Sequence, residues 1–156
     1  MTAIARAEAT PSPRALPELY DLRAWCPAYG SDDATAEKAR NLIPAYEEAM
    51  KPAEKEEIAV NLHRAISIFT PPDNWNEIAR FYLDALSSMP ADLVPVAATH
   101  VAMNCKFFPK PADFTDAVSD EWLRRRSRLC TLQAYVSWHE RKKCEAEKRK
   151  AEARNR

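Results

Sequence analysis

One glycine, Gly30, stands against twelve prolines in this chain of 156 residues. Tight β-hairpins turn on Gly or Asn-Gly, which reach positive φ without steric cost. The chain contains no Asn-Gly, and no window alternates apolar and polar residues long enough for a half-buried strand. The expected class is therefore all-α: a small helical bundle with a long basic C-terminal helix, its helices punctuated by proline. The length suits one folded domain with some tail.

Reading along the chain, residues 1–15 are expected to be a disordered leader without the apolar core of a signal peptide. Residues 16–138 are expected to form the helical domain, and 139–156 a charged tail, helical or disordered. Leu16, Leu19, Tyr20 and Trp25 suit a short helical turn. From Ala34 to Met50, Ala39, Leu42, Tyr46 and Met50 share one helical face, and Pro44 within it predicts a kink or two short helices. Pro52 is expected in the first turn of the next helix. There Ile58, Leu62, Ile66 and Phe69 recur at spacings of 4, 4 and 3, an amphipathic stripe. Asn74 with Glu77 resembles a capping box before Trp75, Ile78, Tyr82, Leu86 and Met89. Asp92 is the expected N-cap of a helix with Pro95 in its first turn and Leu93, Ala97 and Val101 inward. From Pro111 a single helix is expected to run to about Ala151, roughly 60 Å at ~1.5 Å per residue.

Chemistry-bearing patterns are sparse. With one glycine there is no phosphate-cradling loop of the P-loop kind and no G-x-S-x-G nucleophile elbow. His63 and His100 fall on separate helices, without Cys or carboxylate at metal-ligand spacing, and are expected to be partly buried. His139-Glu140 lacks the second histidine of H-E-x-x-H. No catalytic residue, metal site or cofactor is therefore expected. The four cysteines, Cys26, Cys105, Cys130 and Cys144, form no C-x-x-C pair and read as reduced thiols of a cytoplasm. No apolar run approaches the ~20 residues that span a bilayer.

Charge is the stronger signal. Residues 1–105 hold 9 Lys/Arg and 15 Asp/Glu, whereas residues 106–156 hold 14 and 8, so net charges of −6 and +6 cancel. A basic end on an acidic body meets something anionic or folds back on that body. Arg124, Arg125, Arg126 and Arg128 are the first candidate partner-binding group. Three consecutive arginines sweep about 200° of a helix, so one must lie near the buried stripe, within reach of Asp120 or Glu121. Guanidinium forks suit phosphate and carboxylate alike. Arg141, Lys142 and Lys143 form a second basic group, diluted by glutamates and without interleaved aromatics.

Asn104 to Phe114 reads NCKFFPKPADF. Pro109 and Pro111 forbid a helix through it and start the next one, with Asp113 at the favourable end of the helix dipole. Phe107 and Phe108 flank the turn, and at least one is expected to plug the core. The stretch reads as a structural corner made by Phe107, Phe108, Pro109 and Pro111.

The wider block FYLDALSSMPADLVPVAATHVAMNCKFFPKPADFTDAV, residues 81–118, resembles phage and prophage replication proteins of the helicase loader or inhibitor type. Tyr82, Leu86, Pro90, Leu93, Val101, Phe108, Pro109, Pro111, Ala112 and Phe114 carry the likeness. The resemblance implies a non-enzymatic adaptor that binds a hexameric replicative helicase, holding it inactive or delivering it. The leader, the triple arginine and the Lys/Glu tail lie outside the likeness. Two other readings stay open: a protein whose basic C-terminal helix contacts DNA or RNA directly, and a phage-encoded inhibitor of a host protein.

Overall fold

The computed structural model describes residues 11–16 and 32–155. Six helices follow one another in the described residues: α1 (Asp33–Ala49), α2 (Lys55–Ile66), α3 (Trp75–Leu86), α4 (Leu93–Asn104), α5 (Pro111–Asp116) and α6 (Ser119–Arg154). The fold is all-α, and the long C-terminal helix is present. Leu19, Tyr20, Trp25, Cys26 and Gly30 lie outside the described residues. The chain forms two compact units, one of residues 50–123, the other joining α1 to α6 from residue 124 onward.

In the first unit the expected stripes face one core. Ile58, Leu62 and Ile66 of α2 meet Tyr82 and Leu86 of α3 and Leu93, Ala97 and Val101 of α4, closed by Phe114 and Val118. α4 packs on α2 and α5, and α3 packs on α2 and α5. Asp92 is the residue before α4, as expected, but its carboxylate does not cap the helix; it accepts the Arg14 main-chain N–H at 2.7 Å. Asn74 likewise precedes α3 without a side-chain cap, so the capping box read from Asn74 and Glu77 is not formed. Pro52 stands ahead of α2, not in its first turn. It pairs with Pro90 in an antiparallel bridge, flanked by Ala53 N–H to Met89 O at 3.1 Å and Ala91 N–H to Lys51 O at 3.0 Å. Two prolines fit there because the neighbouring residues do the donating.

The second unit has its own core, in which Ala36, Ala39 and Tyr46 of α1 pack with Leu132 and Tyr135 of α6. α1 is one helix with Pro44 inside it, not two short ones. The proline removes one backbone donor, but it is exposed while the buried face on either side of it holds the helix together. Asp32 accounts for the start of α1: its Oδ1 accepts the Thr35 N–H at 2.7 Å. That is an N-cap bond, and the Thr35 hydroxyl and amide hold the exposed Asp32 carboxyl below its ordinary range.

The single helix expected from Pro111 is instead α5, a break at Ala117–Val118, and α6. Side chains compete with the helix ladder here: Thr115 Oγ1 donates to Ala112 O at 3.0 Å and Ser119 Oγ to Asp116 O at 3.1 Å. Short hydroxyls offering the backbone such local bonds loosen a helix, and the break lets both Phe114 and Val118 reach the core. α6 then runs for 36 residues, about 54 Å at 1.5 Å per residue.

Candidate functional site

The corner is a packed one. Phe108 lies edge-to-face against Trp75 at 5.3 Å, Tyr82 at 6.4 Å and Phe69 at 6.5 Å between ring centroids. Edge-to-face rings place a positive edge on a negative face, which adds to burial. Pro109 is fully buried, and its carbonyl accepts the Tyr82 hydroxyl at 2.7 Å. Burial and the neighbouring Asp113 push the Tyr82 phenol up from its ordinary value. Pro111 opens α5, where Lys110 N–H donates to Asp113 Oδ2 at 2.6 Å and Asp113 N–H donates to Lys110 O at 3.0 Å. Phe107, by contrast, is 83% exposed. Of the two aromatics one is the plug and the other faces solvent.

Every basic residue singled out for partner binding falls in the other unit, on α6. They do not form one patch. Arg125 is 1% exposed, and its Nη1 donates to Ala49 O, the last carbonyl of α1, at 3.0 Å. That carbonyl has no partner within its own helix, so the guanidinium belongs to the interior and offers no surface to a partner. Arg124 and Arg126 are exposed and Arg128 is half-buried. At ~100° per residue, Arg124 and Arg128 lie side by side on one edge of α6, while Arg126 sits on the far side.

Where α1 begins, α6 meets its carboxylates. His139 is buried, and its Nε2 lies 3.2 Å from Asp33 Oδ1. Nε2 can bond that carboxylate only as a donor; Nδ1 is buried and has no hydrogen-bond partner among the described residues. Lys143 Nζ stands 3.8 Å from the same Asp33 oxygen, and Arg40 bridges Glu37 at 3.2 Å and Glu140 at 3.4 Å. Part of the basic end thus does fold back on an acidic helix. Sequence reasoning missed this pair because Asp33 and His139 lie far apart along the chain, and neither carries a motif.

From Glu140 to Asn155 every residue is exposed. Among the described residues Arg141 makes no ion pair, and Lys142 meets only Glu145 at 3.4 Å. His63 and His100, expected to be partly buried, are exposed on α2 and α4. Their helical positions face away from the apolar stripes. Cys105 is half-buried, while Cys130 and Cys144 are exposed thiols. Among the described residues no three His, Cys, Asp or Glu side chains gather as a metal site. No described helix is long and apolar enough to cross a membrane. No known protein family, curated protein or solved structure matches this chain.

Proposed function

We propose that this chain is a non-enzymatic adaptor that binds another protein through basic residues of α6, and that its partner is a hexameric replicative helicase, which it loads or holds inactive. The observation that carries the adaptor reading is the exposed length of α6. Among the described residues the last buried one is His139, and a run from Glu140 to Asn155 stays exposed beyond it. A helix with no core contact is ordinarily marginal in water, and docking on a partner would supply the packing it lacks. The helicase itself comes from the likeness of residues 81–118 to phage helicase loaders and inhibitors. Arg124, Arg126, Arg128, Arg141, Lys142 and Lys143 are the residues to which this reading assigns the contact. Arg125 is left out because its guanidinium is spent on Ala49 O.

The test is co-elution of the purified chain with the purified replicative helicase on a sizing column. Complex formation is expected, with loss on charge reversal at Arg124, Arg126 and Arg128 while circular dichroism stays unchanged. Failure of the wild-type chain to bind the helicase overturns that partner.

The adjacency of Arg124 and Arg128 on one edge favours a second reading, direct contact with DNA or RNA. Neutralising phosphates releases counterions, so such binding falls steeply with salt. Tight duplex or single-strand binding by the chain alone, weakening sharply between two salt concentrations, would replace the helicase reading with this one.

A further inference from the structure

The exposed end of α6 is not evenly charged. At ~100° per residue, Lys142, Lys143, Arg149, Lys150 and Arg154 fall within an arc of about 140°. Ala146 and Ala153 lie in the same arc, between the bases. All four glutamates of this stretch, Glu140, Glu145, Glu147 and Glu152, fall outside it. The arc is centred on the direction of His139 and Leu132, and is therefore the prolongation of the face on which α1 packs. α1 lies antiparallel along α6 within their unit, its last carbonyl at Arg125 and its first residue, Asp33, at His139 and Lys143. Past Lys143 no described helix lies on the same face, and its residues are exposed. Arg149, Lys150 and Arg154 have no partner among the described residues.

We propose that this prolonged face, with Ala146 and Ala153 as floor and Lys142, Lys143, Arg149, Lys150 and Arg154 as rim, is a docking site for an acidic amphipathic helix of a partner protein. Two observations carry it. The face continues an interface already formed by a helix, and that helix already sets a carboxylate, Asp33, against Lys143 at its near end. Alanines let a second backbone approach closely, and a rim of one charge selects carboxylates on both flanks of the incoming helix while rejecting lysine-rich ones. Nucleic acid asks less of the site: phosphate contacts need bases, but not an alanine floor in register with a helix-packing face. The inference rests on the adaptor reading of α6 and adds the partner's chemistry to it.

The test titrates the full chain into a labelled synthetic helical peptide with an Ala/Leu stripe flanked on both sides by glutamate. Binding is expected, and the double substitution Arg149→Glu with Lys150→Glu should weaken it by about tenfold or more. Cys144→Glu with Lys148→Glu, a comparable change in charge on the opposite side of α6, should leave it within about twofold. Ala146→Gln, which changes no charge, should weaken it by filling the floor. Equal losses from the two double variants would overturn the proposal, since bulk charge would then explain the binding. So would equal binding of a lysine-flanked peptide, tighter binding of duplex DNA, no peptide binding at all, or self-association through this face in sedimentation. Helicase binding that survives the loss of peptide binding overturns this inference alone; peptide binding without helicase binding overturns only the choice of helicase.

Discussion

Arg125 shows how far one residue's role can depart from that of its neighbours. Three arginines stand in a row, yet a helix advancing ~100° per residue sends them to different sides, and only Arg125 is buried, donating to Ala49 O at 3.0 Å. Removing the donor leaves a buried carbonyl unpaired, which costs about 1–3 kcal/mol. Arg125→Met, which keeps much of the apolar volume, is therefore expected to lower the melting temperature by several degrees. Arg124→Glu and Arg126→Glu, on exposed positions, should shift it little. Thermal denaturation followed by circular dichroism checks all three, and an unchanged melt for Arg125→Met would show that the Ala49 bond does not matter. At the same scale, Phe108 and Phe107 are adjacent and chemically identical, yet the backbone turn at Pro109 sends one ring among Phe69, Trp75 and Tyr82 and the other into solvent.

Among the elements, α1 carries the clearest conflict between local preference and context. Pro44 sits inside a helix of 17 residues, where it lacks a donor and crowds the preceding turn. The helix persists because Ala36, Ala39, Tyr46 and Ala49 all bury on one face. Since Pro44 is itself exposed, Pro44→Ala restores a backbone bond without disturbing the core. The gain in helix propensity exceeds the lost restriction of the unfolded chain, for a net stabilisation of about 1–2 kcal/mol. A higher melting temperature is the expected result, and a lower one would show that α1 needs the proline. α6 poses the opposite case: from Glu140 onward it has helix-forming residues in plenty and no core to pack on, so its order there rests on propensity and i,i+3 pairs such as Lys142–Glu145.

The described residues form two cores, one in each unit. Leu132, fully buried between Tyr135 and α1, tests that division. Leu132→Ala removes buried methyls and leaves a cavity, at a cost of about 2–5 kcal/mol. Amide hydrogen exchange is expected to speed up across Asp33–Ala49 and the adjoining turns of α6, while the amides of α2 and α4 keep their protection. Loss of protection in every helix at once would mean that the two cores unfold as one cooperative unit.

The sequence by itself determined the class and most of the elements of this protein. One glycine removed the turns a sheet needs, and apolar spacing located the inward faces of α2, α3 and α4, because periodicity is a local property that each helix carries in its own residues. The corner was legible for the same reason, since proline acts on its own turn. Tertiary structure decided what depends on residues distant in the chain. It chose which of three arginines is interior, set His139 against Asp33, broke the expected single helix at Ala117–Val118, and placed Pro52 opposite Pro90. It also set the basic arc of α6 in line with the packed face of α1. Burial and partner choice are settled by where helices meet, and no spacing along the chain encodes that meeting.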